Sequence, residues 1–167
     1  MSMKKRAAAT LVGGLALLAS PGQAVAETGN QRFTIIQVGD GPAWVVATGV
    51  ITGAGTEVDN RTQVPPGRPF QITYTFSEGQ LFATVARAGR PHIEFDPLSC
   101  ITTVDIVDTQ RITGGTGAFE GASGSSTDTV RVTSVGARDG EGRCLSPGSP
   151  PLFEIGIIRT EGSLTLP

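Results

Sequence analysis

The chain has 167 residues, with 13 basic and 15 acidic side chains, a net charge of −2 and 38% hydrophobic residues. This length suits one domain with a sizeable core, and the absence of a basic run beyond residue 26 makes nucleic acid or an anionic membrane a poor partner. The chain has 23 glycines and 11 prolines, and from residue 27 onwards they break every stretch long enough for an amphipathic helix.

The first 26 residues have the pattern of a secretory signal peptide. Residues 4–6 are basic, residues 7–19 are small and apolar, and Ala-Val-Ala at 24–26 is a small-residue cleavage site. The alternative is a membrane anchor, but an apolar run of about 13 residues falls short of the ~20 that a spanning helix needs. We therefore predict cleavage after Ala26 and a secreted, mildly acidic domain over 27–167.

The two cysteines, Cys100 and Cys144, are an even number in a chain that is predicted to be secreted, which favours a disulfide. Two buried thiols or half of a metal site are the alternatives, and no other Cys or His lies near either residue to complete a metal site. A disulfide would close a loop of about 45 residues, worth about 4 kcal/mol on chain-entropy grounds.

The mature chain is predicted to be all-β, because Val, Ile, Thr and Phe alternate with polar residues and no window has helical spacing. The predicted strands are 32–38, 43–52, 70–76, 81–87, 93–95 as a short edge strand, 100–109 with a continuation at 111–113, 126–135, 152–160 and 163–166. Residues 56–69 are predicted to be a loop. This spacing of about ten residues is typical of a sandwich or a barrel, and periodicity does not decide between them.

The clearest hairpin joins the strand at 70–76 to the strand at 81–87. In its first strand, Phe70, Ile72, Tyr74 and Phe76 alternate with polar residues and therefore share one face. Four large apolar groups in water would form a costly patch, so this face is predicted to point into the core or into a contact between subunits.

The most distinctive stretch runs from Thr113 to Gly124 and reads Thr-Gly-Gly-Thr-Gly-Ala-Phe-Glu-Gly-Ala-Ser-Gly. Glycine adopts backbone angles that other residues resist and lets another backbone come close, so the segment predicts a tight turn between strands. The lone aromatic is predicted to be the buried plug of that turn. The residues with this structural role are Gly114, Gly115, Gly117, Phe119, Gly121 and Gly124.

This stretch resembles the Gly-Gly-Thr-Gly-x-Phe/Tyr-x-x-Ala-x-Gly signature of allene oxide cyclase and dirigent barrels, and of secreted bacterial proteins called allene oxide cyclase barrel-like. The resemblance is strongest over 113–124, and the strand rhythm extends it weakly over about 30–166. It implies an eight-stranded antiparallel β-barrel, often trimeric, with a central cavity. Dirigent proteins use cavity Asp, Arg and Tyr residues and allene oxide cyclases a cavity Glu, but no position outside the motif can be matched here.

The sequence contains no recognisable catalytic or metal-binding motif. His92, the only histidine, follows a proline in a loop without a visible Ser or Cys partner, and the clusters of Cys and His that zinc, copper or iron need are missing. The glycine-rich stretch joins two strands and has no Lys in phosphate-loop register. We therefore predict neither a metal nor a cofactor.

The candidate ligand-binding residues are polar side chains within strands. Tyr74, the only tyrosine, would need a hydrogen-bond partner once buried, and Asp105, Arg131 and Glu154 are the strand-borne candidates. A carboxyl group inside a barrel would have a raised pKa, which suits a general acid. Asp105 and Asp108 alternate onto opposite faces, so at most one of them belongs to a cavity. The alternative for each residue is a side chain that faces water.

Two functions from different classes stay open at this point. The first is a secreted barrel that binds a small hydrophobic molecule, with a cyclase- or isomerase-like reaction as in the related barrels. The second is a non-catalytic extracellular or cell-envelope protein whose barrel is simply packed. An apolar cavity with two or more converging polar groups favours the first, and an interior filled by Phe, Ile and Val favours the second. Further copies of the chain are a predicted partner, as a trimer by resemblance.

Overall fold

The computed structural model describes residues 26–146 and 149–167. The signal peptide that we predict over 1–26 lies outside the described residues except for Ala26. No helix within the described ranges is long and apolar enough to cross a membrane.

Nine strands account for most of the described chain. They are β1 Glu27–Val38, β2 Ala43–Gly49, β3 Gly53–Asp59, β4 Phe70–Phe76, β5 Gly79–Arg87, β6 His92–Asp96, β7 Ile101–Gly115, β8 Ser123–Val135 and β9 Phe153–Leu166. Two short 3-10 helices, Arg61–Gln63 and Gly117–Phe119, lie in the connections that follow β3 and β7.

The strands form one antiparallel sheet in the order β5-β4-β3-β2-β1-β9-β8-β7-β6, and β5 also pairs with β7. That last pairing closes eight strands into a barrel and leaves β6 as the extra strand. The predicted all-β fold with an eight-stranded antiparallel barrel is confirmed. The predicted hairpin is confirmed as well, since β4 and β5 pair from Phe70 with Val85 to Phe76 with Gly79.

β7 is long enough to serve two partners along one edge. Its second half pairs with β5, up to the pair of Arg87 with Asp108, and its first half pairs with β6, from the pair of His92 with Asp105 onwards. The first half of β7, β6 and the adjoining ends of β8 and β9 therefore continue past the barrel mouth, and we call this part the sheet extension.

The predicted disulfide is confirmed and lies at the far end of the sheet extension. Cys100 directly precedes β7, Cys144 lies in the connection between β8 and β9, and their Cα atoms are 5.4 Å apart. The bond therefore ties the start of the longest strand to the loop that crosses beside it.

The largest differences from the predicted strands are at β3 and β9, and several other strands start or end a few residues away from their predicted bounds. β3 occupies Gly53–Asp59, none of which was predicted to be a strand, and it pairs with both β2 and β4. Its Gly55 must lack a side chain, because a Cβ there would overlap the carbonyl oxygen of Thr75 on β4 and press against the Phe76 ring. The predicted break near Gly162 does not exist, since β9 continues through it.

The glycine-rich stretch closes one end of the barrel. Phe119 is only 4% exposed and its ring packs edge-on against Phe76, with 5.8 Å between the centroids. A Cβ on Gly115 would lie 2.5 Å from the carbonyl oxygen of Gln80 and 2.6 Å from that of Phe119, so the turn packs directly on the neighbouring backbone. The opposite end, where β6 and the sheet extension begin, is the barrel mouth.

Candidate functional site

The barrel interior changes character along its axis. The closed end is filled by Phe33, Phe76, Leu81, Phe119 and Leu164. Towards the mouth, the inward positions carry polar groups instead. We call this set the polar layer, and its members are Glu57, Tyr74, Asp108, Gln110, Asp128 and Thr160, each of them buried.

Strand alternation brings the polar layer together. Glu57 on β3 is paired with Tyr74 on β4, and Asp128 on β8 is paired with Asp108 on β7 and with Thr160 on β9. Since paired residues in neighbouring strands point to the same face, six side chains from five strands converge inside the barrel.

Tyr74 forms the floor of this region. Its side chain is 1% exposed and its ring stacks on Phe33 at a centroid distance of 4.8 Å. Its hydroxyl donates to Oε1 of Gln110 at 3.3 Å, and Nε2 of Gln110 lies 3.2 Å from the same oxygen. Burial, together with the nearby carboxyl groups, raises the pKa of Tyr74 well above its ordinary value, so the phenol keeps its proton.

Asp108 is the one carboxylate of the polar layer that has a cationic partner within the described residues. Nε of Arg87 lies 2.6 Å from its Oδ1, and the carboxylate side of the pair is almost fully buried. Because Arg87 ends β5 at the barrel mouth, the ion pair forms part of the rim.

Glu57 and Asp128 form no ion pair within the described ranges. Burial raises the pKa of Glu57 to about 7; Asp59 and Asp128 add to this shift and Arg61 opposes it. Burial likewise raises the pKa of Asp128 to about 6; the Thr160 hydroxyl opposes this shift and Asp108 adds to it.

Asp128 and Thr160 each hold a polar atom that lacks a hydrogen-bond partner among the described residues. These atoms are Oδ1 of Asp128, in a residue that is 4% exposed, and Oγ1 of Thr160, in a residue that is 1% exposed. The Thr160 hydroxyl lies near enough to Asp128 and to Tyr74 to lower the pKa of each, although neither contact has the geometry of a hydrogen bond. Buried polar groups without partners are rare and costly, so this pair is an unusual feature of the barrel.

A cavity of about 20 Å³ lies above the polar layer and holds about one water molecule. Its walls are apolar towards the mouth and consist of Phe70, Ile72, Val85, Ile106, Val130 and Ile158. The carboxyl groups of Glu57, Asp108 and Asp128 and the ring of Tyr74 line its base.

Arg61 separates this cavity from two larger depressions of about 440 and 560 Å³ that flank the mouth, and it lines all three. Its Nη2 lies 2.8 Å from Oδ2 of Asp59, and its guanidinium carbon lies 4.9 Å from the centre of the Phe70 ring. Arg61 therefore lies on the boundary between the inner cavity and both outer depressions, where Glu57 and Phe70 are each shared with one of them.

The predicted site residues fall in three places. Tyr74 belongs to the polar layer, but none of its predicted partners hydrogen-bonds to it. Asp105 and Arg131 point outward and pair with each other, with Nε–Oδ1 and Nη2–Oδ2 distances of 2.7 and 3.0 Å, and this pairing lowers the pKa of Asp105. Glu154 lines a depression of about 370 Å³ beside the disulfide on the sheet extension.

Those three assignments as partners of Tyr74 are therefore wrong. The expectation that Asp105 and Asp108 take opposite faces is correct, and it is Asp108 that points inward. The sequence contained a signal for Asp128, because it shares the apolar face of its strand with Val130. It contained none for Glu57, which lies in a segment that was predicted to be a loop.

No group of three or more His, Cys, Asp or Glu side chains in the described part of the chain is arranged to hold a metal ion. His92 lies on the exposed strand β6, where its Nε2 is 3.0 Å from Oε1 of Glu94.

Comparisons with protein-family models, with curated proteins and with solved structures returned no match to this chain.

Proposed function

We propose that this protein is a secreted, small-molecule-binding barrel of the allene oxide cyclase barrel-like type, with its binding site between the polar layer and Arg61. The glycine-rich stretch that closes an eight-stranded barrel supports the family, and the Cys100–Cys144 disulfide is compatible with an extracellular protein.

The observation that carries the proposal is the pair of unpartnered atoms in Asp128 and Thr160. A buried polar atom without a partner costs about 1–3 kcal/mol, and a packed barrel would gain stability by replacing it with an apolar group. Here two such atoms lie side by side at the base of an apolar-walled cavity. A ligand that offers a hydrogen-bond donor to them, and an apolar body to the walls, would recover this cost.

The ligand is larger than the cavity of the empty barrel, so it enters by displacing a side chain. Arg61 is that side chain, because it lines the inner cavity and both outer depressions. The Arg61 side chain itself is 44% exposed, and for such a group an ion pair and a cation–π contact each contribute about 1 kcal/mol.

A non-catalytic barrel with a packed interior is the second candidate. The aromatic filling of the closed end and the small volume of the inner cavity favour it. The two candidates differ in whether an apolar molecule with one donor group enters the mouth.

1-Naphthalenemethanol, which has a neutral apolar body and a single hydroxyl, is a suitable probe for calorimetric titration. We expect the probe to bind to the wild-type protein and to bind more tightly to Arg61→Ala. Its binding should be lost in Ile106→Phe, because the larger side chain fills the cavity. Val107→Phe is the matched control, because the neighbouring Val107 points outward. If neither the wild-type protein nor Arg61→Ala binds the probe, the packed barrel is supported instead.

A further inference from the structure

We infer that the ligand of this site carries a cationic nitrogen, as an organic ammonium group on an apolar body, and that this group binds between Glu57, Asp128 and Thr160. The inference rests on the proposed binding function and names the chemical class of its ligand.

Among the described residues, the charges around the cavity leave two carboxyl groups without a counter-charge. Two guanidinium groups and four carboxyl groups lie at the mouth. Arg87 pairs with Asp108 and Arg61 pairs with Asp59, which leaves Glu57 and Asp128. Two buried carboxylates that face each other repel, so an occupant must bring either protons or a positive charge.

An ammonium group fits this region better than the other sources of positive charge. A bare metal ion would need more converging oxygen ligands than the described residues bring together, and a hydrated ion would lie against apolar walls. An ammonium group carries several N–H donors on an apolar stem, and here it meets the free Oδ1 of Asp128, the free Oγ1 of Thr160 and the carboxylate of Glu57. An anionic ligand would face two acids instead.

Protons occupy the site when the ligand is absent. The pKa values of about 7 for Glu57 and about 6 for Asp128 mean that both groups are largely protonated in mildly acidic solution. Tyr74 stays neutral throughout this range. The remaining charged groups that face the site, which are Asp59, Arg61, Arg87 and Asp108, are already paired. An ammonium ligand must therefore displace protons, and its affinity must fall as the pH is lowered.

The test compares two probes that share one apolar body, 1-naphthylmethylamine, which is a cation, and 1-naphthalenemethanol, which is neutral. Titration calorimetry at pH 8 and pH 5 measures both affinities, and buffers with different ionisation enthalpies report protons released on binding. We expect the amine to bind at least about tenfold more tightly than the alcohol at pH 8, and to lose at least about tenfold at pH 5, because Asp128 and Glu57 must then release their protons first. The alcohol should show no such loss.

Asp128→Asn should remove the preference for the amine while the alcohol still binds, and Asp105→Asn, on the outer face, is the matched control that should keep it. Glu57→Gln is a second variant with the same expected result. The comparison of the two probes on the wild-type protein needs no variant at all. An alcohol that binds at pH 8 as tightly as the amine would overturn the cationic ligand and leave the binding function standing. Failure of both probes would overturn the binding function, and this inference with it.

Discussion

Glu57 shows how a single residue can make a barrel sensitive to pH. Its carboxyl group is surrounded by protein, with Asp59 and Asp128 nearby, and both effects favour the protonated form. The folded protein therefore binds a proton at Glu57 that the unfolded chain releases at a lower pH.

We expect the free energy of unfolding to fall as the pH rises. Near the ordinary pKa of 4.5 and below, Glu57 is protonated in both states and costs nothing. Between there and a pKa of about 7 only the folded state holds the proton, so stability falls by roughly 3 kcal/mol across this window. Glu57→Gln has no proton to lose, so urea denaturation at pH 4 and pH 8 should show a smaller fall for this variant. Equal falls in both proteins would contradict the raised pKa.

Phe119 is the second residue with a measurable consequence. Its side chain packs on Phe76 at the closed end, so Phe119→Ala should cost about 3–5 kcal/mol of unfolding free energy. Phe153→Ala is the control, because Phe153 is 48% exposed and should lose less than about 1 kcal/mol. Similar losses in the two variants would show that the glycine-rich turn is not pinned by its aromatic residue.

At the scale of elements, the sequence predicted the strands in which apolar and polar residues alternate, and it missed β3, in which they do not. β4 was predicted correctly because its four large side chains lie on one face of the strand, and that face points into the core. β3 was missed because Gly53, Ala54 and Gly55 carry no β signal, and its place follows from close contact with β4 and not from side-chain preference. Since Glu57 lies on that strand, the same omission hid a principal residue of the candidate site.

The close approach of β3 and β4 can be tested with one methyl group. A Cβ at position 55 has to push against the backbone of Thr75, so Gly55→Ala should cost about 1–3 kcal/mol. Gly156 lies on β9 with nothing within 4 Å of its ideal Cβ, so Gly156→Ala should be close to neutral. Thermal unfolding of the two variants gives the comparison, and a neutral Gly55→Ala would mean that the strands are further apart than described.

The disulfide acts on the connection between β8 and β9. It closes a loop of 44 residues in sequence separation, which corresponds to about 4 kcal/mol on chain-entropy grounds. The double variant Cys100→Ser, Cys144→Ser should unfold at a correspondingly lower urea concentration. Reduction of the wild-type protein should produce the same loss, and a reduced protein as stable as the oxidised one would reject the estimate.

At the scale of the whole molecule, the choice between sandwich and barrel was beyond the reach of periodicity. Both folds alternate apolar and polar residues, and only the pairing of β5 with β7 distinguishes them here. The resemblance of the glycine-rich stretch pointed to the barrel, and the closed barrel is what the chain forms. The trimer that the same resemblance implies stays a prediction, and light scattering of the folded protein measures it. Trp44 points outward, is 61% exposed and lies opposite Ile36, so this apolar face is a candidate contact surface in such a trimer.

The pairing of β1 with β9 also has a consequence for the order in which the protein is made. Twelve residue pairs join these strands, from Glu27 with Leu166 to Val38 with Ile155. A ribosome produces Glu27 long before Leu166, so one edge of β1 stays without its partner until β9 has been translated. Contacts so distant in sequence form slowly, and the barrel closes only after synthesis has passed its last strand.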